Sequence, residues 1–295
     1  MNSGAVPPDV QSSKPVYSIP IDRVGVKGVY RRVCIGSSRG STCLDAYIDV
    51  MIDLPKNQRG IHVSRNIEAA LDVFSSIEYG GFASLEEAIE NLCRELLAKH
   101  GYATNAEARL STTFIYEYGD TNLELEEHIP VKISMRSRVS RGSSDVHRRL
   151  CIEVVGMTVC PCALQMCSYT LNTVGYAPSH TQRAKLRMCV STVNSFIDAA
   201  DLIEIALNSF STPVFSYLKR DKECRMILRG FENAKFAEDV VRSALHGLYR
   251  KFAGRTAPDT AIDISLRSYE SIHPFDLFVS TRCRMGELAE HFSSG

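Results

Sequence analysis

The feature that most constrains the fold is an order of elements that occurs twice along the chain. In the first half, an amphipathic helical pattern leads to Gly101 and then to an alternating, strand-like stretch over 106–118. In the second half, a helical pattern over 234–252 leads to Gly254 and to a strand-like stretch over 260–269. Strand patterns flank both units, so each half is predicted to run strand, strand, helix, helix, strand, strand.

This repeat predicts an α+β chain. The 295 residues are enough to bury a sizeable core without metal or disulfide support. We expect a flexible tail over 1–14, a first module over 15–158 and a second module over 159–295. Units of helix, glycine and strand also occur in α+β proteins that contain no duplication, and the pattern alone leaves that alternative open.

Local patterns predict the remaining elements. Ser84 and Glu87 are spaced as a capping box at the start of the first long helix, and Gly101 suits the left-handed position after its end. Alternation and composition predict strands over 17–33, 43–54, 129–139, 150–155 and 183–193, and helical spacing predicts a helix over 199–210.

Charge and hydropathy argue against several classes of protein. Lys and Arg number 34, and so do Asp and Glu, whereas a dedicated nucleic-acid binder carries excess positive charge. No apolar run approaches the ~20 residues of a membrane helix, and the first residues lack the features of a secretory signal. We expect a cytoplasmic protein that binds neither nucleic acid nor membrane, with its ten cysteines as thiols or metal ligands.

The strongest local candidate for chemistry is the segment GMTVCPC, in which Pro161 ends a predicted strand and presents Cys160 there. Thiolates in this context favour a soft metal such as zinc or iron. A structural site is the alternative, although paired C-x-x-C spacing is absent; its ligands would be Cys151, Cys160, Cys162 and Cys167. The scattered cysteines are predicted to be small buried residues: Cys34, Cys43, Cys93, Cys189, Cys224 and Cys283.

Two histidines lie in polar segments beside predicted strands, His180 in SHTQR and His273 in ESIHP. Either one alone is more often a surface histidine than a ligand. With one thiolate and a carboxylate they would form a mixed nitrogen, sulfur and oxygen site with an exchangeable position, which is typical of catalytic metal sites. They are distant in sequence, so spacing alone does not join them.

A third candidate is basic. The period of two places Lys132, Arg136 and Arg138 on one strand face together with a serine, and such a face suits phosphate oxygens. The loop GIHVSR, with His62 and Arg65, also offers donors to an anion. A solvated strand face is the alternative. The familiar phosphate-binding motifs, Walker A and G-x-G-x-x-G after a strand, are absent.

Several of these motifs together resemble the type IB GTP cyclohydrolases. The shared motifs are GMTVCPCA, SHTQRA, RGIHVSRNIE, YLKRDKE, FENAKFAED and ESIHP. The archaeal MptA branch of the family is indicated by PDVQ…KP, IPIDRVGVKGV and KHGYATNAEARLSTTFI. The resemblance covers about residues 8 to 280. It implies the tunnelling fold, with two tandem ββααββ modules per subunit in a ring-like homo-oligomer, which we expect to be a homodimer or homotetramer.

The resemblance also implies roles for particular residues. It makes Cys160 the metal-binding and catalytic cysteine and His180 a metal-binding and catalytic histidine. It makes His273 a second histidine ligand and Glu223 a carboxylate that binds the metal or its water. Glu238 would bind guanine. The chain departs from the family in a longer loop between Cys160 and His180, and in LKRDKE, which replaces the usual pair of acids before Glu223.

The implied reaction is hydrolysis of C8 of GTP to formate. The archaeal branch implies 7,8-dihydroneopterin 2′,3′-cyclic phosphate and diphosphate as products, early in methanopterin or folate-type pterin biosynthesis, and one Fe²⁺ per subunit, with Zn²⁺ or Mn²⁺ as alternatives. The phosphates would contact His62, Arg65, Lys132, Arg136 and Arg138. Three alternatives stay open: a bacterial-type enzyme that forms dihydroneopterin triphosphate, a pterin-binding or queuosine-pathway enzyme of the same fold, and a non-enzymatic metalloprotein.

Overall fold

A computed structural model of the chain describes residues 8–37, 40–75, 81–120, 125–173 and 177–292. The described residues form two compact units, one within Met1–Thr112 and Ser134–Arg148, the other within Thr113–Ile133 and Arg149–Gly295. The compact units are divided at other positions than the two predicted modules, whose boundary lies between residues 158 and 159. The division into modules stays a prediction. Residues 1–7 of the predicted tail lie outside the described ranges.

The α+β class is confirmed. The elements are β1 Ile21–Ser37, β2 Gly40–Leu54, α1 Val63–Ser75, α2 Gly81–Lys99, β3 Asn105–Asp120, β4 Leu125–Ser140, β5 Val146–Val159, α3 Pro161–Leu171, β6 Thr181–Val193, α4 Ala199–Ser209, β7 Thr212–Pro213, α5 Arg220–Glu232, α6 Ala237–Phe252, β8 Ala261–Ser268, β9 Leu277–Arg284 and α7 Met285–Phe292. Across the described ranges, no helix has both the length and the apolar composition needed to span a membrane.

The first unit packs helices α1 and α2 on an antiparallel sheet. Strand β2 lies between β1 and β3, with Ile48 opposite Leu110 in the β2–β3 register. The alternation predicted for β2 is confirmed, since its inward residues are almost fully buried: Leu44, Ala46, Ile48, Val50 and Ile52. The apolar face of α2 packs on β1 and β2, and its residues Leu92 and Leu96 are inaccessible to solvent.

The second unit contains the antiparallel strands β6, β8 and β9 in this order, with β5 next to β6 and the short β7 paired to β5. Helix α6 packs on α4, β8 and β9. Four residues of its predicted apolar side are buried: Val240, Val241, Ala244 and Leu248. Leu245 and Tyr249, predicted for the same side, are half-buried, and Phe236, just before the helix, is exposed. Gly254 follows the helix with a φ of 74°, a conformation that glycine adopts without strain.

Several local predictions were wrong. Helix α2 begins at Gly81, so Ser84 lies within the helix instead of capping it. Gly101 is not left-handed; within the described ranges the glycines with positive φ are Gly28, Gly142 and Gly254. Four helices and two strands were not predicted: α1, α3, α5, α7, β7 and β9. Helix α1 begins inside the His62 motif, which was predicted as a loop, and helix α3 begins at Pro161, which was predicted only to end a strand.

Four cysteines form disulfides, Cys34 with Cys43 and Cys151 with Cys189. Cys34 and Cys43 lie opposite each other in the β1–β2 register, and the second pair joins the neighbouring strands β5 and β6. The prediction of unpaired, reduced thiols is therefore wrong for these four residues, because strand register brings them together. Cys93 remains free and buried, and burial raises the pKa of its thiol to about 12.

Candidate active site

A cavity of about 230 Å³ in the second unit brings together three of the predicted site residues, Cys160, His180 and His273. They come from the end of β5, the start of β6 and the segment between β8 and β9. The remaining lining residues are Gln182, Lys235, Phe236, Ala237, Ser268, Glu270, Phe275 and Leu277. The residues that line the cavity thus include a cysteine, two histidines, a glutamate and a lysine, together with apolar side chains.

Backbone hydrogen bonds hold Cys160 and His180 side by side. The Cys160 N–H donates to the His180 carbonyl oxygen at 3.1 Å. The Ser179 hydroxyl donates in turn to the Cys160 carbonyl oxygen at 2.7 Å. These two bonds join the end of β5 to the segment before β6, and they explain how residues twenty positions apart in sequence share one site.

Cys160 is also the N-cap of helix α3. Its backbone is extended, with φ −71° and ψ 113°, and its sulfur accepts the Ala163 N–H at 3.4 Å. Pro161 occupies the first turn, where a missing N–H leaves no hydrogen bond unmade. The sulfur therefore faces the positive end of a helix dipole, whereas Cys162 is exposed to solvent.

Gln182 orients the His180 ring. Nδ1 of His180 and Oε1 of Gln182 lie 3.0 Å apart. Because an amide oxygen only accepts hydrogen bonds, Nδ1 carries the proton and donates it to this bond. The lone pair is then on Nε2, as in histidines whose other ring nitrogen is held by a neighbouring acceptor when they bind a metal.

The segment between β8 and β9 supplies His273 and Glu270. The His273 ring stacks on Phe275, with centroids 5.1 Å apart and planes 4° from parallel. The Ser268 hydroxyl donates to Oε1 of Glu270 at 2.8 Å. Both side chains that could bind a cation here are thus positioned by a neighbour.

Lys235 lies two residues before the start of helix α6 and is hydrogen-bonded to the end of strand β5, which precedes Cys160. Its backbone N–H donates to the Val159 carbonyl oxygen at 3.1 Å. Its Nζ donates to the carbonyl oxygens of Ser209 at 3.0 Å and Phe210 at 3.4 Å, at the C-terminal end of α4. Burial lowers the pKa of the Lys235 ammonium, and the charge of Asp239 opposes this shift.

The donor types around the cavity suit a transition metal, because thiolate, imidazole and carboxylate together bind zinc and iron. Across the described residues, however, no three His, Cys, Asp or Glu side chains lie close enough together to hold an ion. Glu223 is exposed on the first turn of α5 and does not line the cavity. The alternative structural site loses Cys151, which is bonded to Cys189.

Glu238, the predicted guanine ligand, lies on the first turn of α6 next to Ala237, which lines the cavity. Its side chain is exposed. The neighbouring acid has a structural role, since Asp239 accepts the Phe236 N–H at 3.2 Å and caps the helix. Of the two acidic residues in this turn, Asp239 therefore caps the helix and Glu238 does not.

The predicted basic face of β4 exists, because Lys132, Arg136 and Arg138 are exposed between buried neighbours. Each is next to an oxygen acceptor. Lys132 Nζ lies 3.4 Å from Glu153 and Arg136 Nη1 lies 3.9 Å from Glu107, while Arg138 Nη2 donates to an amide oxygen at 3.5 Å. Lys132 belongs to the second unit, and the two arginines belong to the first.

His62 and Arg65 lie in the first unit, at the start of α1. His62 Nε2 is 3.1 Å from a carboxylate oxygen of Asp9, so the N-terminal segment contacts this motif. Arg65 donates from Nη1 to the Lys99 carbonyl oxygen at 3.2 Å. Both side chains are therefore positioned by contacts within the unit.

Sequence reasoning missed Gln182, Lys235, Ser268 and Glu270 as lining residues. Three of them stand inside the motifs that carry the family resemblance: Gln182 in SHTQRA, Lys235 in FENAKFAED and Glu270 in ESIHP. The motifs as a whole indicated the family, but a single lysine or glutamine within a motif has no periodicity or spacing that would indicate its role.

Comparison with solved structures shows similarity of fold alone. Uricase from Arthrobacter globiformis matches with a TM-score of 0.55 and 9% identity over 90% of this chain and 93% of that one. A uricase from Bacillus fastidious matches with a TM-score of 0.55 and 11% identity over 91% and 95% of the two chains.

Sequence comparison is more specific. The MptA GTP cyclohydrolase of Aeropyrum pernix is 35% identical over 283 residues, covering 95% of this chain and 97% of the relative. The MptA GTP cyclohydrolase of Methanothermobacter thermautotrophicus is 31% identical over 303 residues, covering 95% and 94%. The family model "Type I GTP cyclohydrolase folE2" matches residues 8–279. Because the match extends over nearly the whole chain and includes every residue that lines the Cys160 cavity, the chain belongs to the type I GTP cyclohydrolase family of enzymes.

Proposed function

We propose that this enzyme hydrolyses C8 of GTP to formate and forms 7,8-dihydroneopterin 2′,3′-cyclic phosphate with release of diphosphate. The observation that supports the chemistry most directly is that Cys160, His180 and His273 line one cavity. The MptA relatives support the archaeal type of product. This reaction would be the first step of a pterin pathway in the cytoplasm.

The proposed cofactor is one Fe²⁺ per subunit, with Zn²⁺ and Mn²⁺ as alternatives. Cys160, His180 and His273 would hold it, and Glu270 is the carboxylate that the cavity itself offers. The family resemblance assigns that carboxylate to Glu223, so both acids belong in the test. When bound, such an ion lowers the pKa of a coordinated water to about 7 and thereby supplies hydroxide at neutral pH.

The protein residues would orient the purine and handle its protons. Nε2 of His180 is free to accept or return a proton, because Gln182 holds Nδ1. Cys160, which caps the positive end of α3, would be the second group next to the reacting carbon. Glu238 would accept the N1–H and the exocyclic amine of guanine together, since one carboxylate binds two parallel donors.

The cyclic phosphate requires attack of a ribose hydroxyl on the α-phosphorus, with diphosphate as the leaving group. Cations that stabilise the leaving diphosphate assist such a step. We assign this role to Arg136 and Arg138, whose exposed guanidinium groups lie on one strand face. Lys132, His62 and Arg65 are proposed as further phosphate contacts.

We further propose that the chain has the tunnelling fold and assembles as a homodimer or homotetramer. Residues 21–140 run strand, strand, helix, helix, strand, strand, and the second half repeats this order with α3, β7 and α5 interposed. Within the described ranges, β1 pairs only with β2, and β9 only with β8. Each therefore leaves one edge open, and open edges favour pairing with another chain.

Mass spectrometry of an anaerobic reaction tests the proposal. Metal-stripped protein is reconstituted with Fe²⁺, Zn²⁺ or Mn²⁺ and incubated with GTP, with Glu223→Gln and Glu270→Gln variants in parallel. We expect the cyclic phosphate and diphosphate, with the highest turnover for Fe²⁺. If dihydroneopterin triphosphate alone appears, the enzyme is of the bacterial type. Absence of GTP consumption with every metal would refute the proposal.

A further inference from the structure

We propose that the Lys235 ammonium stabilises the negative charge that develops on the oxygen of the formyl group as it leaves as formate, and that it then binds the formate anion. This inference rests on the proposed reaction and adds a group that the family motifs do not assign. Of the described residues that line the cavity, Lys235 has the only lysine or arginine side chain. It shares the cavity with Cys160 and His180, next to which C8 would react.

Lys235 is held in place instead of being a flexible surface lysine. Its backbone N–H is bonded to Val159, the residue before Cys160. Its Nζ donates to two carbonyl oxygens at the end of α4, those of Ser209 and Phe210. An ammonium group has three N–H donors, so these two bonds leave one donor without a protein acceptor among the described residues.

The charges around the cavity require such a cation. Glu270 already places a carboxylate there, and the reaction would create a second anion, formate, from a neutral formyl group. Like charges in a partly buried site repel each other strongly. No carboxylate of the described residues lies within ion-pair distance of Lys235 Nζ, since none of the ion pairs in the described ranges includes it. The lysine is therefore available to an incoming anion.

The step concerned is hydrolysis of the ring-opened formamide. Hydroxide adds to the formyl carbon and gives a tetrahedral oxyanion. The C–N bond then breaks, the amine nitrogen takes a proton, and the carbon leaves as formic acid, which ionises to formate. The overall balance is R–NH–CHO plus water to R–NH₂ plus HCOOH, with no oxidant or reductant. A fixed cation next to the oxyanion lowers the barrier of this hydrolysis. Its loss should therefore slow the step that consumes the formamide.

Three variants separate charge from structure. Lys235→Met removes the ammonium, and Lys235→Arg keeps a cation. Asn233→Ala is the matched control, because Asn233 Nδ2 donates to the carbonyl oxygens of Phe210 and Ser211 at 3.0 Å but does not line the cavity. Thermal unfolding of all three checks that each variant folds.

With GTP, Lys235→Met should release formate about a hundredfold to a thousandfold more slowly. It should also accumulate the ring-opened formamide, which is one water heavier than GTP. Lys235→Arg should restore most of the formate release, and Asn233→Ala should not accumulate the formamide. If Lys235→Met and Asn233→Ala give the same products in the same ratio, the lysine is only structural and the proposal is wrong.

A binding measurement makes the result independent of turnover. Saturation-transfer NMR of the formate proton should show binding to the wild type, Lys235→Arg and Asn233→Ala, and loss of binding in Lys235→Met. Equal transfer to wild type and Lys235→Met, or none to the wild type, overturns the anion site even if GTP is consumed. If formate binding depends on Lys235 but the wild type consumes no GTP, the anion site stands and the proposed reaction fails.

Discussion

Gly156, four residues before Cys160, is expected to tolerate no side chain. A Cβ on this residue would lie 2.2 Å, 2.3 Å and 2.7 Å from three ring carbons of Phe210. Ordinary carbon contacts are about 3.5–4.0 Å, so the ring would have to move by more than about 1 Å. Phe210 is only 1% exposed, and its carbonyl oxygen is bound by Lys235 and Asn233. The ring therefore has little room to move.

Gly156→Ala should lower the free energy of unfolding by about 1–3 kcal/mol, the usual cost of overpacking a core. Because the chain has no Trp, circular dichroism during denaturant unfolding is the suitable assay. Gly119→Ala is the control, since a Cβ there meets no atom within 4 Å, and it should change the free energy by no more than about 0.5 kcal/mol.

A double-mutant cycle tests the stated cause. Phe210→Ala alone should cost about 3–5 kcal/mol. In the double variant the methyl group added by Gly156→Ala no longer meets the ring, so the combined loss should be smaller than the sum of the single losses by about 1 kcal/mol or more. Additive losses, or a Gly156→Ala variant as stable as the wild type, would refute the close contact with Phe210.

Three further predictions concern the site and its surroundings. Cys160→Ala should abolish formate release with an unchanged circular dichroism spectrum, whereas Cys162→Ala, on an exposed side chain, should be milder; equal and total loss in both, with unfolding, would favour a structural role. Glu238→Gln should reduce kcat/KM for GTP by roughly tenfold to a hundredfold, because it removes a charge-assisted hydrogen bond of about 1.5–3 kcal/mol; wild-type kinetics would remove Glu238 from the site. Burial lowers the pKa of His100 from 6.5 to about 4, so its contribution to stability is complete above pH 6.5 and is lost as the pH falls towards 4, by up to about 1.4 kcal/mol per pH unit. Denaturant unfolding at each pH should show that the stability of His100→Gln depends less on pH than that of the wild type. The same dependence in both proteins would contradict the assignment.

Much of the fold could be predicted because burial follows periodicity. The period of two identified the inward residues of β2 and the exposed basic face of β4, and the helical period identified the buried side of α6. Helix starts were less predictable. Helix α6 begins at Ala237 and not at 234, because Lys235 is held by the Val159 carbonyl oxygen before the helix begins. That contact is between distant residues, and no local pattern contains it.

The candidate site could be predicted only in part for the same reason. The motifs indicated Cys160, His180 and His273, but spacing could not show that they share a cavity. Their proximity depends on the hydrogen bonds between Cys160 and the Ser179–His180 segment, and on the β6–β8 pairing that brings the segment with His273 to this end of the unit. Lys235 and Glu270 were missed because contacts between segments that are distant in sequence also bring these two residues to the cavity.

The two disulfides could not be predicted from the composition of the chain. The expectation of a cytoplasmic protein predicted reduced thiols, yet Cys34 and Cys43 face each other across β1 and β2. Pairing of cysteines depends on strand register, which the sequence pattern did not define for these strands. Strand pairing also explains why Cys151, next to the predicted metal motif in sequence, is bonded to Cys189 instead.

An isotope label shows whether the enzyme removes C8 of GTP as formate and whether Cys160 is needed for this. GTP carrying carbon-13 at C8 is incubated anaerobically with the Fe²⁺-reconstituted enzyme, and the label is followed by NMR. We expect the label to move from the purine into formate, and the Cys160→Ala variant to leave it in the purine. If the wild type consumes GTP while the label stays in the ring, or if Cys160→Ala releases formate at the wild-type rate, the Cys160 cavity is not the site of the reaction.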